Sequence, residues 1–167
     1  MKHLLILSTA AFLGPLAGQP ALAWWGDGHG LLAKAAVLAL PEQMPAFFRA
    51  GADQVAHVSY DQDLFKNRRA PQLLRAEHPE HFFDAELVEG MVLPDDRFGF
   101  VAACRKADVE PEKVGFLPYA LVEWTQRLAV AFAEHRRWPA DETVQSKALV
   151  YAGFLAHYAA DASQPLH

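Results

Sequence analysis

Apolar residues recur at helical spacing along most of the chain. Between positions 119 and 135, for example, Leu121, Leu128 and Phe132 follow the helical repeat of ~3.6 residues and therefore share one helix face. No stretch alternates apolar and polar residues for long enough to predict a β-strand. The pattern predicts an all-α fold.

Two helices are expected in the first part of the chain. The Ala/Leu-rich segment 28–40 predicts a helix that ends at Pro41, because proline cannot continue a helix. The segment 42–58 predicts a second helix, which should be irregular at Gly51.

The rest of the sequence predicts connecting segments and two further helices, at 119–135 and 141–163. The whole chain is expected to form one domain without internal repeats. Polar and basic residues at 61–79 indicate a segment that is partly loop, and glycines and prolines at 89–111 indicate a long connection around a short helix. We expect the last helix at 141–163. Asp141 is a suitable N-cap for it, because a carboxylate can accept hydrogen bonds from the first turn.

The first 23 residues differ from the others. Lys2 precedes an apolar run at 4–13, and the segment ends in Ala21-Leu22-Ala23. A basic start, a short apolar core and an A-x-A ending are typical of a secretory signal, whereas a membrane-spanning helix needs ~20 apolar residues. We expect cleavage after Ala23, a mature domain at 24–167 and a secreted or periplasmic location. An uncleaved anchor is the alternative.

Charge and cysteine content narrow the function classes. The formal net charge is −5 and becomes −6 when Lys2 leaves with the signal, so the chain has no general basic surface for duplex nucleic acid. A phosphate substrate is still compatible, because bound metal ions would be the largest local charges. Cys104 is the only cysteine and excludes an intrachain disulfide. Metal ions could stabilise such a domain instead.

Metal-ligand residues are concentrated at the end of the sequence. His157 and Asp161 are four positions apart, so one helix face presents both side chains. Pro165 disfavours helix at Gln164, and the turn allows His167 to fold back towards the same region. Imidazole and carboxylate groups at this spacing suit zinc. The alternative is a helix end that only happens to contain two histidines.

The mature N-terminus offers further ligands. Cleavage after Ala23 would leave Trp24 with a free α-amino group, which can chelate a metal together with the Trp24 carbonyl oxygen. His29 follows five positions later, after Gly28.

These motifs resemble the zinc-dependent phospholipase C and single-strand nuclease family. In that family the mature chain begins with Trp, and a Gly-His follows at the spacing of Trp24 and His29. Its His-Phe-aromatic-Asp motif matches residues 81–84, and its His-x3-Asp-x2-Gln-Pro-x-His signature matches residues 157–167. The resemblance runs from Trp24 to His167 and implies a single helical domain around a cluster of three zinc ions.

The resemblance implies two close zinc ions in this chain, with Asp161 bridging them. It assigns to the first ion Asp63, His81, His157 and Asp161. It assigns to the second ion Trp24, His29 and the other oxygen of Asp161. Asp63 is followed by the family's acidic-x-x-basic pattern, which ends at Lys66, and Asp61 is the alternative to it.

A third zinc would be bound by His167 together with a histidine and an acidic residue beyond it. The sequence ends at His167, so we expect this third site to be absent or weak and the chain to be a fragment or a truncated member. A full-length member should hold three ions.

The implied activity is hydrolysis of a phosphodiester by a zinc-activated hydroxide, with Asp63 and Asp161 as the catalytic carboxylates. A phospholipase C is expected, because the chain has no disulfide and has a Tyr-x-Gly-x3-His-Tyr run at 151–158. A single-strand nuclease is the first alternative, and Phe82 could then stack on a base or simply belong to the core. A non-catalytic zinc-stabilised exported domain is the second alternative.

We expect a phospholipid or single-stranded nucleic acid as the partner, no stable protein partner and no integral membrane segment.

Overall fold

Helices account for the regular structure in the computed structural model, which describes residues 26–164. The predicted signal peptide, Trp24 and His167 lie outside the described residues. Within 26–164 there are helices and no strand, so the all-α prediction is confirmed. The α-helices are α1 (Gly26–Leu38), α2 (Ala46–Ala50), α3 (Ala52–Val58), α4 (Asp61–Phe65), α5 (Pro71–Glu77), α6 (Arg97–Lys106), α7 (Pro111–Val114), α8 (Leu117–Arg137) and α9 (Glu142–Ala162). Two short 3₁₀ helices occupy His78–His81 and Ala85–Val88.

The predicted irregularity at Gly51 is a break between α2 and α3. A Cβ atom on Gly51 would lie 2.5 Å from Cδ1 of Leu149 on α9, a distance too short for any real contact. Glycine at this position therefore allows the α2–α3 corner to pack directly on α9.

The segment 61–79 contains more helix than its polar sequence indicated. Only the turn at 66–70 separates α4 from α5. Pro71 is the first residue of α5 and Pro79 lies in the first turn of the following 3₁₀ helix, positions where proline loses no helical hydrogen bond. This run of short helices leads the chain from Asp63 to His81.

Helix α9 is the central element, because it packs against α1, α3 and α8. Its N-cap prediction is confirmed: the Asp141 carboxylate accepts hydrogen bonds from the backbone N–H groups of Thr143 and Val144. The N-terminal part of α9 contributes Leu149 and Ala152 to a core shared with α1, α2 and α3. The C-terminal part carries His157 and Asp161, which are both buried.

Glycine also sets the separation between α9 and α3. A Cβ atom on Gly153 would lie 2.6 Å from Cβ of Val58 and 3.1 Å from the Val55 carbonyl oxygen. The close approach brings the end of α3 beside the next turn of α9, where His157 lies.

No helix within residues 26–164 combines the length and the apolar character needed to cross a membrane.

Candidate metal centre

Five side chains from separate parts of the chain converge on one buried cluster. They come from α1, α4, the 3₁₀ helix at His78–His81 and α9, and α9 contributes two of them. The cluster consists of His29, Asp63, His81, His157 and Asp161. Four of these residues are buried, and the Asp63 side chain is 10% exposed, so Asp63 marks the side of the cluster nearest to solvent.

The tightest group is formed by His81, His157 and Asp161. Nδ1 of His81 lies 2.9 Å from Nε2 of His157 and 2.9 Å from Oδ2 of Asp161. The third side of this triangle, from Nε2 of His157 to Oδ2 of Asp161, is 3.2 Å. Ligand atoms at ~2.0–2.1 Å from a tetrahedral zinc lie ~3.3 Å from one another, so these three atoms are spaced almost as ligands of one ion.

The two oxygens of Asp161 face different imidazoles. While Oδ2 faces His81 and His157, Oδ1 lies 3.4 Å from Nε2 of His29. This carboxylate therefore has the orientation that a bridge between two metal ions requires.

The backbone determines which nitrogen of His157 is available. Nδ1 of His157 donates a hydrogen bond of 2.8 Å to the carbonyl oxygen of Ser59, directly after the end of α3. The proton on Nδ1 leaves the Nε2 lone pair free, and Nε2 faces the cluster. Hydrogen bonds of this kind orient the histidine ligands of metals.

His29 forms the second side of the cluster, next to His157. The two imidazole rings stack with their centroids 4.0 Å apart. Burial, followed by the electrostatic effect of the neighbouring His157, lowers the pKa of His29 from 6.5 to about 4. His29 is therefore neutral at physiological pH, which is the form that binds a metal.

Asp63 lies on the His29 side of the cluster. Its Oδ1 forms an ion pair of 2.6 Å with Nζ of Lys66, and its Oδ2 lies 3.9 Å from Nε2 of His29. The latter oxygen is buried and has no hydrogen-bond partner within residues 26–164. In the structure Asp63 groups with His29 and His157, whereas the resemblance places it beside His81. The ion pair with Lys66 accounts for this orientation.

The charge of Asp161 is stabilised despite its position. Burial opposes ionisation, but the contacts with His157 and His81 outweigh it and hold the pKa of Asp161 well below its usual range. Burial, the largest effect on His81, lowers its pKa in spite of the contact with Asp161. Ionised carboxylates and neutral imidazoles are a donor set that suits zinc, so the residues present fit this ion.

Backbone hydrogen bonds from the start of α8 hold the segment that carries His81. The backbone N–H groups of Phe116 and Leu117 donate to the carbonyl oxygens of Pro79 and Phe82, over 2.6 and 3.2 Å. Gly115 makes this approach possible: its φ is +93°, and a Cβ there would lie 2.1 Å from the Phe82 carbonyl oxygen. The start of α8 therefore fixes the position of His81 against α9.

The other predicted site residues have different placements. Asp61 belongs to neither of the two groups of potential ligands. Phe82 is partly buried, with its ring 5.5 Å from that of His78 in an edge-to-face contact. Trp24 and His167 lie outside the described residues, so their predicted roles as ligands remain predictions.

Sequence reasoning missed two residues beside the cluster. Lys66 was noted only as the end of a motif, yet it holds Asp63. No motif in the sequence assigns a role to Glu77, whose Oε1 lies 3.8 Å from Nε2 of His81. The Glu-x3-His spacing from Glu77 to His81 was the available signal, because side chains four apart meet on a helical turn.

Comparisons of the chain with protein-family models, with curated proteins and with solved structures found no match.

Proposed function

We propose that the protein is a zinc-dependent phosphodiester hydrolase. The observation that carries the proposal is the position of Asp161, whose two oxygens face His81 and His157 on one side and His29 on the other. A buried carboxylate surrounded by three imidazoles supports a pair of divalent metal ions, because imidazole and carboxylate groups are the ligands that zinc takes.

Two groups of ligands would hold the ions. His81, His157 and Asp161 form the first group, and His29, Asp63 and His157 form the second. We propose that Oδ1 of Asp161, which lies 3.4 Å from Nε2 of His29, and the predicted Trp24 amino group add to the second group. Zinc in such a site supplies a Lewis acid that lowers the pKa of water from 15.7 to ~7.

The residues of this chain would have distinct roles in hydrolysis. Asp161 orients both halves of the site. Asp63 lies nearest to solvent and has one buried oxygen without a hydrogen-bond partner in the described segment, so it can accept the proton of an attacking water. Burial lowers the pKa of His29 and of His81, which disfavours protons that would compete with a metal, and the Ser59 carbonyl fixes the tautomer of His157.

A phospholipid is the proposed substrate class. The formal net charge of −5 disfavours a long polyanion but does not repel a zwitterionic headgroup. A single-strand nuclease is the second candidate, because Phe82 is only partly buried and a partly free ring could stack on a base.

The test is metal analysis of the purified mature protein, followed by parallel assays with phosphatidylcholine micelles and with single-stranded DNA and RNA. Bound zinc with release of phosphocholine supports the proposal, whereas turnover of nucleic acid alone supports the nuclease. Zinc without turnover of any substrate would indicate a non-catalytic zinc-stabilised domain. A protein that binds no zinc would overturn the proposed function.

A further inference from the structure

The buried Tyr158 and the partly buried Glu77 form a pair directly behind His81. The Tyr158 hydroxyl donates a hydrogen bond to Oε1 of Glu77, the last residue of α5. Tyr158 is 2% exposed and the Glu77 side chain is 13% exposed. Among the described residues, no lysine or arginine forms an ion pair with Glu77. Its carboxylate is therefore held by a tyrosine and faces an imidazole.

The imidazole it faces has an unsatisfied nitrogen. Nε2 of His81 is buried, has no hydrogen-bond partner within 26–164, and lies 3.8 Å from Oε1 of Glu77. The other nitrogen, Nδ1, points into the cluster. The two nitrogens of His81 thus face two different acceptors, Glu77 on one side and Asp161 on the other.

A neutral histidine has one ring proton, so these acceptors compete for it. With the proton on Nδ1, His81 donates to Oδ2 of Asp161 over 2.9 Å, and neither atom is free for a metal. With the proton on Nε2, the His81 ring can donate towards Glu77, and the Nδ1 lone pair faces His157 and Asp161. The 3.8 Å separation between Nε2 of His81 and Oε1 of Glu77 is longer than a hydrogen bond, so a small approach of the two groups completes this contact.

We propose that Glu77, held by Tyr158, is a positioning residue that selects the Nε2-protonated tautomer of His81 and so presents its Nδ1 to the metal centre. The inference rests on the proposed function and adds to it the acceptor behind one ligand. Carboxylates in this position fix the ring orientation of metal-binding histidines, and their loss costs ~10–100-fold in metal affinity.

The Tyr158 ring also restricts the orientation of the His81 ring by steric contact. It packs edge-on against both His81 and His157, with centroids 5.6 and 5.4 Å away. Tyr158 therefore limits the rotation of His81 and also anchors its acceptor.

The experiment compares Glu77→Gln and Tyr158→Phe with the wild type, with the exposed Glu86→Gln as the matched control. The first measurement is the ¹⁵N chemical shift of the His81 ring nitrogens in the metal-free protein. The second is zinc affinity by competition with a chelator. We expect Glu77→Gln to shift His81 towards the Nδ1-protonated form and to weaken zinc binding ~10–100-fold. Tyr158→Phe should do so less strongly, and Glu86→Gln should change neither.

Unchanged tautomer populations and zinc affinity in folded Glu77→Gln and Tyr158→Phe would overturn the inference. If one variant does not fold, as judged by its helical circular dichroism, the other decides the result. A wild type that binds zinc but hydrolyses nothing would end the proposed activity without affecting this test. A wild type that binds no zinc would overturn the proposed function, and the nitrogen shifts would still decide whether Glu77 orients His81.

Discussion

The carbonyl oxygen of Ser59 accepts a hydrogen bond from Nδ1 of His157 over 2.8 Å. Ser59 follows α3 and His157 lies on α9, so this bond joins helix packing to the chemistry of the site. It exists because Gly153 allows the two helices to approach. Any change that separates α3 from α9 should therefore affect the candidate metal centre as well as the stability of the fold.

Gly153→Ala tests this coupling. The added methyl group would lie 2.6 Å from Val58, and overpacking of this kind costs ~1–3 kcal/mol. We expect a lower free energy of unfolding in urea and a weaker zinc affinity. Gly30→Ala on α1 is the control: its nearest neighbour would be the Ala56 carbonyl oxygen at 3.5 Å, so gain of helix propensity should stabilise it by ~0.5–1 kcal/mol. Equal effects of both substitutions would contradict the coupling.

Asp161→Asn should abolish hydrolysis. The amide keeps the shape of the side chain but loses the charge and one good oxygen donor, so it cannot bridge two cations. We expect the loss mainly in kcat, with zinc content lower by about one ion or more. Metal analysis and a phosphodiesterase assay in one buffer measure both, with the exposed Asp95→Asn as control. A variant that retains its zinc and most of its rate would show that Asp161 is not a bridge.

Removal of zinc should lower the thermal stability. Ligands from α1, α4 and α9 come together only in the folded chain, so the ion binds the native state and not the unfolded one. At a zinc concentration of ~100 times Kd the stabilisation is ~2.7 kcal/mol, or ~5–10 °C in Tm. Calorimetry with zinc and with excess chelator measures the difference. A Tm that does not depend on zinc would contradict the site.

One residue added before Trp24 should reduce zinc binding. The expected ligand is the free α-amino group of the mature chain, and an amide nitrogen within the chain is a poor ligand. Trp24 precedes α1, whose first turn carries His29. Zinc content and affinity of the mature protein should exceed those of the extended form, while one residue inserted after the exposed Val92 serves as control. Equal values for the mature and extended forms would rule out a role for the amino terminus.

Much of the fold could be predicted from local sequence. Helix α8 has a one-sided apolar face, and Asp141 is a strong N-cap, so both helices near the end of the chain were predicted to within a few residues. Helices α4 and α5 were expected to be partly loop, because short surface helices have little apolar periodicity. Pro71 at the first position of α5 was the better signal.

The sequence predicts only those site residues whose spacing along the chain follows a helical turn or a recognised motif. His157 and Asp161 are one helical turn apart, and that pair was visible at once. The acceptor for His157 is a backbone carbonyl 98 residues earlier, which no side-chain pattern reveals. The contact between Tyr158 and Glu77 spans 81 residues and depends on where the fold places the end of α5 relative to α9. Long-range packing, which sequence spacing does not encode, determines these partners.

The clamp around His81 has a consequence for how the molecule can change. The backbone N–H of Asp84 donates a hydrogen bond of 2.7 Å to the carbonyl oxygen of Val114. The chain therefore leaves the site at residue 84 and returns to it at residue 114. The segment between residues 84 and 114 packs around its own apolar cluster, which includes Phe100 and Cys104. Its outermost part includes Val92, which is 90% exposed, and a surface loop accepts extra residues at little cost. Insertions after Val92 should therefore leave zinc affinity unchanged, which makes the segment 84–114 a part of the protein that can diversify while the candidate metal ligands stay in place.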